Sequence, residues 1–223
     1  MDTKNRGYMG KILNVDLGSA SIQEEQIPDY VYEQFLSGAG LAARILYDRI
    51  PRGADPLGPD NILGLVSGLL TGTGAFLMGR WMAVGKSPLT GGYGEANGGG
   101  NFSPAIKQCG YDGIFFRGIS PKPVYLKVVN GKAELVPASH LWGKDTLETE
   151  ELIKKEIGLK NVRVVCIGEA GENKSLVSGI VNEGGRIAAR SGLGAVMGSK
   201  KLKAVALAGN RQIISYDPEK IKE

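Results

Sequence analysis

Two glycine-dense segments are where this sequence could hold a ligand. The first is Lys86-Ser87-Pro88-Leu89-Thr90-Gly91-Gly92-Tyr93-Gly94-Glu95-Ala96-Asn97-Gly98-Gly99-Gly100-Asn101-Phe102. The second is Asn182-Glu183-Gly184-Gly185-Arg186-Ile187-Ala188-Ala189-Arg190-Ser191-Gly192-Leu193-Gly194-Ala195. Asn97-x-Gly99-Gly100 and Asn182-x-Gly184-Gly185 each precede a helical turn, glycine and an apolar strand, which reads as a weak internal duplication. Bare backbone N–H groups beside a helix N-terminus favour phosphate or another anion. Arg80 lies upstream of the first segment, and Arg186 and Arg190 lie inside the second. A guanidinium is the fork that grips phosphate with two hydrogen bonds. Neither segment is a nucleotide signature: Gly192-x-Gly194-x-x-x-Gly198 is not GxGxxG, and Gly198-Ser199-Lys200 lacks Walker A spacing. Taken alone, the glycines read equally as tight turns in a β-rich protein.

Other chemistry is sparse. Cys109 and Cys166 form no CxxC. Two cysteines cannot supply the four thiolates of an iron–sulfur cluster or of an all-cysteine zinc site. They read as buried or half-buried free thiols of a cytoplasmic protein. His140 is the only histidine, and it reads as hydrogen-bonded and structural. Glu169 and Glu172 flank a glycine turn and read as solvated caps. Trp81 beside Arg80 reads as core.

Composition narrows the class. The chain has 223 residues, 34 of them glycine, and 27 basic against 23 acidic side chains give a net charge of +4. That balance suits an anionic ligand better than a nucleic-acid groove, and there is no basic run or basic helix face. No apolar run reaches the roughly 18 residues of a membrane helix. Met1-Asp2-Thr3-Lys4-Asn5-Arg6 lacks the apolar core of a signal peptide.

These segments must be held by a scaffold of short strands. Alternation predicts a hairpin across Gly10–Gln23, turning at Gly18-Ser19. Pro28 opens a helical stretch that Gly38-Ala39-Gly40 interrupts and Leu41–Tyr47 resumes. Asn61–Gly68, Trp81–Gly85 and Gly113–Gly118 read as strands. Val124–Val129 and Lys132–Val136 flank Asn130-Gly131, the preferred type I′ pair, and form a hairpin. Thr146–Ile157 is an amphipathic helix. Val162–Ile167, Val177–Val181 and Leu202–Ala208 read as strands, and Ala188–Met197 as a short helix. The fold class expected from these elements is α+β, largely antiparallel, with a few short helices.

Taken together, five ordered blocks resemble the N-terminal domain of the tungsten-containing aldehyde:ferredoxin oxidoreductases. They are Leu70-Thr71-Gly72-Thr73 with Gly79-Arg80; Lys86-Ser87-Pro88-Leu89-Thr90-Gly91; Ala96-Asn97-x-Gly99 through Gly110-Tyr111-Asp112; Ala138-Ser139-His140-Leu141-Trp142-Gly143; and Gly168-x-Ala170-Gly171-Glu172-Asn173 with Gly192-x-Gly194-Ala195-Val196-Met197-Gly198-Ser199-Lys200-x-Leu202-Lys203-Ala204. The resemblance runs from about Gly7 to Gly209. It implies two packed β-sheets forming a platform that carries a bis-pterin tungsten cofactor (tungstopterin), or its molybdenum counterpart, with a magnesium ion bridging the pterin phosphates. Carried over, Arg80, Asn97, Gly98 and Gly99 bind one pterin, and Arg186, Ile187 and Ala189 the other. Asn97 and the Ile187 carbonyl lie near the magnesium. The family commonly reads Arg-Ala-Ala-Gly-Arg-Gly-Gly where this chain has Arg186-Ile187-Ala188-Ala189-Arg190-Ser191-Gly192. A carbonyl contact at Ile187 survives the change of side chain, but Ala189 adds a Cβ where a ligand rests on the backbone.

The resemblance further implies an enzyme that oxidises aldehydes to carboxylic acids with ferredoxin as electron acceptor. Its [4Fe–4S] cluster and substrate pocket belong to the full-length protein, and the cluster is not ligated by this chain. No catalytic residue is expected here. Residues 1–211 are expected to be the cofactor-binding domain and 212–223 a linker toward C-terminal domains, the chain being a fragment or a split subunit and inactive alone. The partners implied are those domains, ferredoxin and an aldehyde, with no nucleic acid or membrane, in a cytoplasmic homo-oligomer. Two other readings stand beside it: a non-catalytic platform for a phosphorylated pterin, and a nucleotide binder using the glycine segments.

Overall fold

A computed structural model describes residues 7–222. Met1–Arg6 and Glu223 lie outside the described residues, so the reading of the N-terminus as free of a signal peptide is not addressed by the structure. The first half comprises β1 (Lys11–Asp16), β2 (Ser21–Gln26), α1 (Asp29–Phe35), α2 (Ala39–Arg49), β3 (Leu63–Ser67), β4 (Trp81–Lys86), β5 (Tyr93–Gly98), α3 (Phe102–Gln108) and β6 (Gly113–Arg117). The second comprises β7 (Val124–Val129), β8 (Lys132–Pro137), α4 (Thr146–Ile157), β9 (Arg163–Cys166), α5 (Glu169–Glu172), β10 (Ile180–Asn182), β11 (Arg186–Ala188), α6 (Leu193–Ser199) and β12 (Leu202–Ala208). A last helical turn, α7, covers Pro218–Lys222.

The two halves build two six-stranded sheets, ordered β2-β1-β6-β3-β4-β5 and β11-β10-β9-β12-β7-β8. Matching β1 to β7, β2 to β8 and so on turns one order into the other. In each sheet a single parallel pairing, β1 with β6 and β7 with β12, sits among antiparallel ones. The internal duplication is therefore real, but its frame differs from that of the Asn-x-Gly-Gly repeat. Asn97 lies near the end of β5, before α3. Asn182 ends β10, one strand too early to be its counterpart. The topological equivalent of Asn97–Asn101 is the Ala188–Gly192 stretch before α6.

Period-two alternation decides the layers. Leu13 and Val15 of β1, Leu63 and Leu65 of β3, Trp81 and Ala83 of β4, and Ile114 and Phe116 of β6 point inward. They meet Leu126 and Val128 of β7, Val165 of β9, and Val205 and Leu207 of β12 in one core between the sheets. The opposite face of the first sheet, with Ile12, Val66, Val84 and Phe115, is covered by Leu41, Ala42, Ile45 and Leu46 of α2. The opposite face of the second, with Tyr125, Val164, Cys166, Ala204 and Ala206, is covered by Ile153 of α4. Phe102 and Ile106 of α3 and Leu193, Val196 and Met197 of α6 enter the central layer.

Several expected elements stand unchanged. The Asn130-Gly131 turn has both residues at positive φ, 48° and 80°, and α4 spans Thr146–Ile157, capped by the Asp145 carboxylate, which accepts from the Glu148 N–H at 2.8 Å. Three readings are corrected. Each glycine segment contains a strand, β5 in the first and β11 in the second. The strand after β9 begins at Ile180, since Leu176 and Val177 form a turn whose side chains are exposed. The helix expected over Ala188–Met197 occupies Leu193–Ser199, because Arg186–Ala188 pairs with β10. Among the described residues no helix is long and apolar enough to cross a membrane.

Candidate functional site

β5 is the edge strand of the first sheet and β11 that of the second, and the two edges lie side by side. Every residue singled out from the sequence as a cofactor contact falls on or beside this seam. β4 and β5 pair with Met82 opposite Asn97 and Trp81 opposite Gly98. That register places Arg80, just ahead of β4, against Asn97: its Nε donates to Asn97 Oδ1 at 2.7 Å and its Nη2 to the Asn97 carbonyl at 3.5 Å. Arg80 and Asn97 are exposed, Gly98 is buried and Gly99 half-buried.

Across the seam, Ile187 pairs with Val181 and Arg186 with Asn182. Arg186, Ile187, Ala189 and Arg190 are exposed. The aliphatic part of Arg186 runs beside Gly99, with Cδ 3.8 Å from the position a Gly99 Cβ would take. The structure thus brings Arg80, Asn97, Gly98, Gly99 and Arg186 to one face, with Ile187 and Ala189 on the adjoining strand end.

The seam is closed by side chains rather than by a ladder. Ser191 Oγ accepts from the Glu95 N–H and donates to the Glu95 carbonyl, both at 3.2 Å. The Ser191 carbonyl accepts from Ser87 Oγ at 2.8 Å. Buried Asn182 donates from Nδ2 to the Gly99 carbonyl at 3.0 Å and accepts the Trp81 indole N–H at 3.3 Å. Glu183 accepts the Asn101 N–H at 2.7 Å. Sequence reading missed Ser87, Asn182, Glu183 and Ser191 as site builders. Asn182 was visible in the Asn-x-Gly-Gly repeat, and for Ser87, Glu183 and Ser191 the signal was their polar type within a glycine segment.

From beneath, α3 holds the loop that leads to Arg80. Ser103 Oγ donates to the Arg80 carbonyl at 3.0 Å and lies within hydrogen-bond distance of the hydroxyls of Thr71, at 3.2 Å, and Ser67, at 3.0 Å. The Lys107 ammonium donates to the carbonyls of Gly7 and Leu69, and burial pulls its pKa down to about 8. The loop itself carries three exposed apolar side chains, Phe76, Leu77 and Met78.

The residues present suit an anionic group. The N–H groups of Gly99, Gly100, Ala189 and Arg190 have no hydrogen-bond acceptor among the described residues. Such donors beside three arginines suit phosphate oxygens in charge and in hydrogen-bonding type. Ala189 is not at positive φ, so its Cβ brings no backbone strain. Ser191, where the resemblance leads one to expect glycine, sits at φ 62° and makes two hydrogen bonds to Glu95. No group of three or more His, Cys, Asp or Glu side chains suited to a metal comes together among the described residues.

The remaining candidates are structural. His140 Nε2 lies 2.7 Å from Glu156 Oε1 at the surface. Trp81 is fully buried, edge-on to Phe102. Burial pushes both thiols, Cys109 and Cys166, up to about 12. Glu169 is exposed as expected, but Glu172 is not a solvated cap: its side chain is 4% exposed and pairs with the fully buried Lys203. It also accepts the Gly143 N–H at 2.8 Å.

Comparison with known proteins bears on the same residues. The family model for the N-terminal domain of aldehyde ferredoxin oxidoreductase matches residues 12–209. The chain is 44% identical over 214 residues to the tungsten-containing aldehyde ferredoxin oxidoreductase of Thermococcus kodakarensis, and 42% identical to that of Pyrococcus furiosus. In both cases 96% of this chain is covered, and it spans 35% of the relative's length. It is 35% identical to the WOR-like subunit of the aliphatic sulfonate oxidoreductase of Pyrococcus furiosus, over 96% of this chain and 37% of that one. A chain of the active site complex BamBC of benzoyl coenzyme A reductase, solved with 1,5-dienoyl-CoA, superposes with a TM-score of 0.92 and 41% identity, over 94% of this chain and 32% of that chain. The ordered glycine and arginine blocks, the two like sheets and these matches lead to one assignment: the chain belongs to the aldehyde ferredoxin oxidoreductase family and corresponds to its N-terminal domain.

Proposed function

We propose that this chain is the cofactor platform of an oxidoreductase that holds a bis-pterin tungsten, or molybdenum, cofactor at the seam between its two sheets. The observation that carries the reading is the seam itself. Two glycine segments, one from each half of a duplicated fold, meet edge to edge with unpartnered N–H groups and flanking arginines. A ligand made of two similar phosphorylated halves suits a platform made of two similar halves. Arg80, Asn97, Gly98 and Gly99 hold one pterin. Arg186, Ile187 and Ala189 hold the other. Asn97 and the Ile187 carbonyl are the oxygen donors that would hold a magnesium ion accompanying the cofactor's phosphates. When bound, the group supplies the two-electron redox chemistry. The chain's part is to bind it, orient it and shield one of its faces from water.

On this reading the whole protein oxidises aldehydes to acids and passes electrons through a [4Fe–4S] cluster to ferredoxin. Relatives named for an aldehyde, a sulfonate and benzoyl coenzyme A share this domain. Substrate choice therefore lies in the domains that cover it, and residues 212–223 lead toward them from the platform of residues 1–211. Two buried, unpaired thiols suit the cytoplasm.

The test is metal and pterin analysis of this chain assembled with the covering domains of a relative. Tungsten and pterin should co-purify with the wild type and be lost from R80A and R186A. The chain alone should carry little cofactor and show no aldehyde-dependent dye reduction. A wild-type assembly that retains neither tungsten nor pterin, yet binds simple nucleotides tightly, overturns the proposal.

A further inference from the structure

We propose that Asn182 and Glu183 are positioning residues, whose turn reaches from the second sheet to the first and sets the spacing and orientation of the two cofactor-facing segments. The inference rests on the platform reading above. Asn182 belongs to β10, yet both ends of its buried amide are spent on the other sheet, on the Gly99 carbonyl and the Trp81 indole. A buried amide satisfied from both ends fixes the distance between the groups it joins.

Glu183 extends the grip. It sits at φ 43°, a conformation that costs a non-glycine residue energy and persists only where its surroundings over-determine it. Its side chain is 11% exposed. One carboxylate oxygen accepts the Asn101 N–H at 2.7 Å, and the other lies 3.4 Å from Asn101 Nδ2. Arg163 and Arg186 flank the carboxylate at 3.9 Å each. The Glu183 carbonyl accepts from Arg186 Nη1 at 3.4 Å. One residue therefore holds Asn101 of the first segment and the guanidinium of the second.

The pattern of bonds selects what remains for a ligand. Asn182 takes the Gly99 carbonyl and Glu183 takes the Asn101 N–H, which leaves the N–H groups of Gly99 and Gly100 as the donors between them. Gly100, at φ 93°, is the close approach: a Cβ there would strike the Glu183 carboxylate and lie 2.9 Å from Asn182 Nδ2. A turn serving only to reverse the chain has no need of a carboxylate reaching into the neighbouring sheet.

The experiment has two arms. Amide and indole hydrogen exchange is measured on this chain alone for N182A, E183A and E183Q. Loss of one hydrogen bond should speed exchange at the Asn101 amide in E183A, and at the Trp81 indole in N182A, by ~10-fold or more, while amides of β12 keep their rates. E183Q retains an acceptor oxygen and should restore most of the Asn101 protection. Tungsten retained after gel filtration is then measured on the assembly with covering domains, where E183A should hold ~10-fold less than wild type and E183Q should lie between them. Unchanged exchange in both alanine variants overturns the inference. Faster exchange with wild-type tungsten retention overturns it as well, because the turn then positions nothing. A wild type that retains no tungsten refutes the platform reading, and with it the cofactor role of these residues.

Discussion

Ser191 and Glu95 meet across the seam through a two-way hydrogen bond, the Ser191 hydroxyl accepting from the Glu95 N–H and donating to the Glu95 carbonyl at 3.2 Å each. A side chain from the turn between β11 and α6 thereby stands in for the missing neighbour of an edge strand in the first sheet. Edge strands with unpaired backbone groups invite unwanted pairing, and here the edge is closed by a residue held at φ 62°. The two effects oppose each other, so the substitution decides the sign. S191A keeps the strain and loses both bonds, and should cost about 1–3 kcal/mol. S191G loses the bonds but relieves the strain, and should cost less than S191A. Urea unfolding of the three proteins checks the order.

Lys107 makes stability depend on pH. Burial lowers its pKa from 10.5 to about 8 in the folded protein. The unfolded state therefore binds the proton more readily, and stability rises with pH across that interval. Relative to K107M, which cannot titrate there, the wild type should gain about 3 kcal/mol between pH 8 and pH 10.5, as the charged form ceases to be penalised. The contribution is present above pH 10.5 and is lost as pH falls through 8. A flat difference between the two proteins, followed by denaturant unfolding at each pH, would refute the assignment.

The Glu172–Lys203 pair lies inside the second half, with side-chain exposures of 4% and 0%. Removing one partner leaves a buried charge, a loss of about 3–5 kcal/mol. E172A and K203A should each melt well below wild type. The double variant E172L/K203M should recover much of the loss, because neither charge is then stranded. A double variant no better than the singles would show that the pair matters through Gly143 instead.

Phe76, Leu77 and Met78 are 85%, 82% and 45% exposed on the loop that ends at Arg80. Apolar side chains grouped in this way drive association. The chain alone should self-associate through this face, and F76S/L77S should shift it toward monomer. Light scattering with and without the covering domains of a relative distinguishes the cases. A monodisperse wild-type monomer would contradict the expectation.

How much of this was legible in the sequence differs from element to element. β12, α4 and the β7–β8 hairpin could be read from an apolar run, amphipathic spacing and the Asn130-Gly131 pair, because each rests on interactions a few residues long. β5 and β11 could not. Tyr93-Gly94-Glu95-Ala96-Asn97-Gly98 has neither the β-branched content nor the apolar alternation of a strand, and it is extended because β4 and the Ser191 hydroxyl hold it so. Glu172 differs from its reading for the same reason: its partner Lys203 is remote in sequence, and the two side chains meet only in the folded second half.

By itself the sequence determined which residues would be chemically useful. Glycines supply bare amides, arginines supply forks, and two cysteines with one histidine leave too few ligands for a cluster. It also determined that successive residues of each strand lie on opposite faces, because the side-chain period of a strand is a local property. Only the tertiary structure decided that the two glycine segments face one another, and through which atoms. Asn182 reaches Gly99 and Glu183 reaches Asn101 because two similar sheets pack with their β5 and β11 edges together. That juxtaposition depends on the burial of a shared core between the sheets, a sum over many distant contacts that no short stretch of sequence encodes.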